Sequence, residues 1–68
     1  MTPDRLATMA EALWGFGWQT ALAREQGYNV RTVQRWASGE WKIPDDLELE
    51  LLALMRQKID ALYKFVGV

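Results

Sequence analysis

Apolar positions along the 68-residue chain recur at steps of three and four, and no segment alternates convincingly as a strand would. Leu6, Met9, Ala10, Leu13 and Trp14 trace one buried face of a helix from about Pro3 to Trp14. Thr2 is placed to cap it, Pro3 suits the first helical position, and Asp4 complements the helix dipole. Gly15-Phe16-Gly17 ends it. A second, short helix is expected from about Trp18 to Gln26, with Gly27 in the left-handed position after it. A third begins after the N-cap Asn29 and runs to about Ala37, turning Val33, Trp36 and Ala37 inward, with Gly39 closing it. Beyond the connection Glu40-Trp41-Lys42-Ile43-Pro44 comes a long helix over about 45–65, ~30 Å at 1.5 Å per residue. Asp45 and Glu48 at its start have the spacing of a capping box. The pattern predicts an all-α fold, a compact four-helix domain over residues 1–68 with a long C-terminal helix.

That last helix carries two apolar stripes. Leu47, Leu51 and Leu54 are set to close the core over Val33 and Trp36. Leu52, Met55, Ile59, Leu62 and Val66 form a second stripe at alternating three- and four-residue steps, the spacing of a helix-packing seam. No remaining element is long enough to cover that stripe, so it is expected to be a dimer interface.

Composition narrows the class. Half the residues are hydrophobic and 12% are aromatic, four of them tryptophan, so the chain should fold around a few large side chains. There is no cysteine and no histidine, which leaves neither a disulfide framework nor a credible zinc ligand set. Ser38 is the only serine and has no candidate base beside it, so catalysis is not expected, and neither is a metal or cofactor. The acids Asp45, Asp46, Glu48 and Glu50 are better read as the start of a helix. The opening MTPDRL lacks the layout of a signal peptide, and the longest apolar run, Leu51 to Met55, is far short of a membrane span. A soluble cytoplasmic protein with no membrane partner is the expectation.

A net charge of −1 argues at first against a nucleic-acid partner, but its distribution does not. Residues 1–20 carry Asp4, Arg5 and Glu11, and the acids of 43–68 outnumber the bases there. The middle third holds Arg24, Arg31, Arg35 and Lys42 against only Glu25 and Glu40. The positive charge is therefore concentrated in the middle third, where Arg31 and Arg35 lie four residues apart.

Residues 18–39, WQTALAREQGYNVRTVQRWASG, hold the informative spacing. Ala23 supplies the small side chain that two helices crossing steeply require, and Gly27 the positive φ of a sharp turn. Leu22, Val33 and Trp36 then fasten the pair to the flanking helices. This is a helix-turn-helix arrangement, whose second helix enters the DNA major groove. Gln19, Ala23, Gly27, Val33, Trp36 and Gly39 fall where the Cro/CI-type (lambda-repressor-like) regulators have their Gln, small residue, turn Gly, buried aliphatic, buried large apolar residue and closing Gly. The chain resembles that family over most of its length, and RTVQRWASGE is similar to the recognition helix and following turn of small phage and bacterial regulators, a resemblance that fits a Cro-like phage repressor or an anti-CRISPR-associated operon repressor alike. It departs at Gln26, where the family usually has a buried Leu or Met, and at Tyr28, larger than the usual Val.

The resemblance implies a transcriptional regulator, a repressor of its own operon, that binds an inverted-repeat double-stranded DNA operator as a homodimer in a bacterial cytoplasm. Base reading is implied for Val30, Arg31, Gln34 and Arg35, since arginine can bond guanine O6 and N7, and glutamine adenine N6 and N7. Gln19 and Thr20 would touch phosphate at the start of the second helix, with Asn29, Thr32, Ser38, Trp41 and Lys42 as further phosphate candidates. Trp14 and Trp36 are expected in the core, whereas Trp18 and Trp41 border the DNA face and are expected half exposed. No ligand-sensing domain and no small-molecule ligand are expected. The alternatives are a protein-interaction module that has kept this fold, or an antitoxin. Arg31, Gln34 and Arg35 weigh against the first, and the lack of a spare toxin-binding segment against the second.

Overall fold

Local capping chemistry decides where each helix starts and stops. The computed structural model describes residues 1–67 and is all-helical, with no strand among them. Helix α1 spans Pro3–Trp14, and the Thr2 hydroxyl accepts a hydrogen bond from the Arg5 N–H at its start. A 3₁₀ turn, Gly15–Gly17, links it to α2, Trp18–Gln26. Gly27 adopts φ 74°, and the N–H of Tyr28 returns to the carbonyl of Ala23 at 2.9 Å, reversing the chain in two residues. Asn29 then caps α3, Val30–Ser38, by accepting from the Arg31 N–H at 2.8 Å. Gly39 closes α3 with φ 83°, and α4 spans Asp45–Val66.

The start of α4 departs from the expected capping box. Pro44 occupies the cap, and no side chain bonds the free N–H groups there. Asp45 is already inside the helix, and Glu48 turns to α1, where its carboxylate accepts from Arg5 Nε at 2.6 Å. An acid in the first helical turn is still favourable through the helix dipole, and Asp45, Asp46 and Glu48 all lie there.

The core gathers residues from all four helices: Leu6, Met9 and Ala10 of α1, Trp18, Leu22 and Ala23 of α2, Val33 and Trp36 of α3, and Leu47 and Leu51 of α4. Ile43, in the connection before α4, is buried with them. Leu6, Leu22, Val33, Leu47 and Leu51 are fully enclosed. Trp18 is buried rather than half exposed; it lies one turn before Leu22 on the inward face of α2. Trp14 lies at the rim, half buried against the cluster, as do Leu13, Ala37 and Leu54.

Helices α1, α2 and α3 pack on one another to form the body, and α4 lies against α1. The first half of α4 also meets the turn between α2 and α3, where the Tyr28 hydroxyl donates to the Glu50 carboxylate at 3.1 Å. The Tyr28 ring also packs edge-on against Trp36, centroids 5.0 Å apart. The second half of α4 runs beyond the body, giving the molecule extents of 43 × 19 × 19 Å. From Arg56 to Gly67 every residue is exposed. No helix among the described residues is long and apolar enough to cross a membrane.

Candidate nucleic-acid interface

Helix α3 is short and anchored on one side only. Val33 and Trp36 bury that side, which leaves Val30, Arg31 and Gln34 exposed on the other and Arg35 partly so. Left-handed glycines at both ends, Gly27 and Gly39, hold α3 between two tight turns, so its outward face protrudes without being covered. Arg31, Gln34, Arg35 and Ser38 line one shallow depression together with Glu40.

The two arginines are in different states. Arg31 forms no ion pair among the described residues and its guanidinium faces solvent. Arg35 is engaged: its guanidinium carbon lies 4.4 Å from the ring centroid of Trp41, and its Nε is 3.9 Å from a carboxylate oxygen of Glu40. The turn after α3 makes this possible. Gly39 reverses the chain, and the Trp41 N–H bonds back to the Arg35 carbonyl at 3.2 Å, which returns residues 40 and 41 to the side of Arg35.

The proposed phosphate residues divide likewise. Lys42 is exposed and forms no ion pair among the described residues, and Trp41 is 46% exposed with one face against Arg35. The hydroxyl of Ser38 already donates to the Arg35 carbonyl at 3.1 Å and accepts from the Glu40 N–H at 3.4 Å. The side-chain oxygen of Asn29 is used in capping α3, and Thr32 is half buried in its first turn. Gln19 and Thr20 belong to a separate depression, shared with Glu11, Phe16, Gly17 and Trp18. The structure thus brings Arg31, Gln34, Arg35 and Ser38 together, while Gln19 and Thr20 line a different depression, one that Glu11 also lines.

Glu40 and Tyr28 are the residues that sequence reasoning passed over. Glu40 looks like a stray acid in a basic segment until Gly39 folds it back on Arg35. A signal for it existed: a glycine closing a helix brings the residues just beyond it back against the last turn.

A second exposed feature lies on α4. Ile59, Leu62, Tyr63 and Val66 line a shallow apolar groove, and Met55, Ile59 and Leu62 line another with Ala12 and Leu13 of α1. Leu52 remains 45% exposed, Ile59 54%, Leu62 53% and Val66 71%, so among the described residues this stripe is left largely uncovered. Met55 is half buried against the core edge. Among the described residues no group of three or more acidic, His or Cys side chains could hold a metal ion.

No family model, no curated protein and no solved structure matches the chain.

Proposed function

We propose that this protein is a sequence-specific double-stranded DNA-binding regulator of helix-turn-helix type, acting as a homodimeric repressor. One observation carries the reading. A short helix, α3, is fastened by Val33 and Trp36 behind a glycine turn and presents Val30, Arg31 and Gln34 uncovered, with Arg35 beside them. An α-helix of this exposure fits the major groove, where arginine and glutamine can make paired hydrogen bonds to guanine and adenine. An interaction module would more readily present apolar or acidic residues there.

The α4 stripe supports a second copy of this chain as the partner. Its exposed apolar residues Leu52, Ile59, Leu62 and Val66, with Tyr63 beside them, form one continuous apolar face of the kind that a second helix of the same pattern can cover. A two-fold pair would place two α3 helices on one side of a duplex, as an inverted-repeat operator requires.

The test is a fluorescence-anisotropy titration with the DNA upstream of the protein's own gene against a scrambled duplex, followed by footprinting. Preference for the upstream DNA is expected, with log affinity falling against log salt at a slope of ~−0.9 per phosphate contacted. Equal or absent binding to both duplexes, or affinity insensitive to salt, overturns the reading.

A further inference from the structure

We propose that Glu40 is an internal competitor for DNA at Arg35, and that Trp41 is the platform that positions the Arg35 guanidinium for the exchange. This inference rests on the DNA-binding reading above and deepens it by naming a device that sets affinity at that site.

The geometry is specific to the turn after α3. Gly39, with φ 83°, sends the chain back, and three hydrogen bonds hold the return: Gly39 N–H to the Trp36 carbonyl, Trp41 N–H to the Arg35 carbonyl, and Glu40 N–H to Ser38 Oγ. The indole of Trp41 lies against the Arg35 guanidinium at 4.4 Å, and the Glu40 carboxylate stands 3.9 Å from Arg35 Nε. The two contacts do different things. A ring face attracts the cation without using its N–H donors, so a stacked arginine can still bond an acceptor in its own plane. The Glu40 carboxylate, at ion-pair rather than hydrogen-bond distance, offsets the charge of the guanidinium and repels an approaching phosphate.

The Arg35 and Glu40 side chains are 39% and 64% exposed, so their pairing is weak enough for DNA to displace it. Arg35 then trades the carboxylate for an acceptor on the nucleic acid while its stack on Trp41 persists. Glu40 is left unpaired beside the DNA and recruits a cation from solution, which cancels the counterion release that Arg35 would otherwise contribute. The carboxylate therefore lowers both the affinity and the salt dependence of the complex.

The experiment compares wild type, Glu40→Gln, Arg35→Ala and the double variant by anisotropy titration on one duplex across a salt series. Helical content is checked by circular dichroism, and Glu40 is exposed, so its replacement leaves the fold intact. Glu40→Gln is expected to tighten binding roughly two- to fivefold. It should also steepen the salt slope by up to ~0.9, one further counterion. In the Arg35→Ala background most of that gain should vanish, because the competition acts through Arg35. A gain that persists in full without Arg35 is general charge repulsion and overturns the proposal, as does no gain at all.

Trp41 is tested separately, as a positioning residue. Trp41→Ala should weaken DNA binding and Trp41→Phe should largely retain it, since either aromatic face holds the guanidinium. In the DNA-free protein the Arg35 δ-methylene protons should be shielded by the indole ring, an NMR signature lost in Trp41→Ala. Arg35 resonances indifferent to that change overturn the platform without reference to DNA. If wild type binds no duplex, the DNA reading itself fails and this inference with it; if wild type binds and the variants do not respond, only the inference fails.

Discussion

The hydroxyl of Tyr28 donates a hydrogen bond of 3.1 Å to the carboxylate of Glu50, tying the turn between α2 and α3 to the first half of α4. Since the ring of Tyr28 also stands edge-on to Trp36 at 80°, one side chain joins α3 to α4 at the turn that leads out of α2. A face that reads DNA must be held in this way, because helices of nine residues such as α2 and α3 are marginal on their own.

Tyr28→Phe keeps the ring and removes the hydrogen bond. It should destabilise the protein by about 0.5–1.5 kcal/mol, measured by urea unfolding near neutral pH. The bond also carries a pH signature. Burial holds the Tyr28 phenol above its usual pKa, and the hydrogen bond to Glu50 and the negative charges of Glu50 and Asp46 push it the same way. The folded state thus keeps the proton more tightly than the unfolded chain. The resulting stability is fully present below the unfolded tyrosine value of ~10 and is lost as pH rises through the folded value above it. The stability gap between wild type and Tyr28→Phe should therefore narrow in strong alkali. A gap unchanged there would show that the phenol is not held as described.

Gly27→Ala tests the turn itself. A Cβ at position 27 would meet no heavy atom within 4 Å, so the substitution has room, and its cost is conformational. With φ at 74°, alanine should cost ~1–2 kcal/mol in thermal or urea unfolding. Gly27→Asn should cost less, since asparagine tolerates this region better. An alanine variant as stable as wild type would mean that the turn has another conformation.

The helix ends are legible in the sequence because each is decided within a few residues: Thr2 reaches Arg5, Asn29 reaches Arg31, and Gly27 and Gly39 need only their own backbone freedom. Asp45 misleads because local spacing cannot see Pro44 take the cap position, nor Arg5, 43 residues from Glu48, draw that carboxylate to α1. The burial of Trp18 is legible from its four-residue step to Leu22, but its place beside the Gly15–Gly17 turn reads as a surface position. Of the candidate site, the outward set of α3 follows from the inward pair Val33 and Trp36. The coupling of Arg35 to Glu40 and Trp41 does not, because it depends on how tightly Gly39 folds the chain back.

Arg31 and Lys42 should behave differently as alanine variants. Arg31 is exposed and unpaired among the described residues on the outward face of α3, placed to meet a base edge. Arg31→Ala is expected to cost ~1–3 kcal/mol on the operator and to relax base preference at one position per half-site. Lys42 lies exposed in the connection after α3, outside the helix, and is proposed to meet the phosphate backbone. Lys42→Ala should weaken all sequences about equally and reduce the salt slope by about one phosphate's share, ~0.9. Selection from a randomised duplex library distinguishes the two, and an Arg31→Ala variant with wild-type preference would remove Arg31 from the reading face.

The exposed stripe of α4 sets the last expectation. Ile59 and Leu62 sit in its middle, each more than half exposed, and the end of α1 reaches only the edge of the helix there, where Lys58 Nζ donates to the Leu13 carbonyl at 2.7 Å. Replacing both with aspartate removes apolar surface only where a partner would cover it, because Leu47 and Leu51, which close the core, lie more than a turn earlier. Ile59→Asp with Leu62→Asp should leave helical content and the melting of the body nearly unchanged. Two charges in a closely packed seam cannot be solvated, so the pair should dissociate. Light scattering is expected to read two chains for wild type and one for the variant. Operator binding should weaken in step, since a monomer engages one half-site and loses the effective concentration that tethers the second. A wild-type mass of one chain at concentrations that saturate the operator would refute the dimer, whereas a dimeric double-aspartate variant would move the interface away from this stripe.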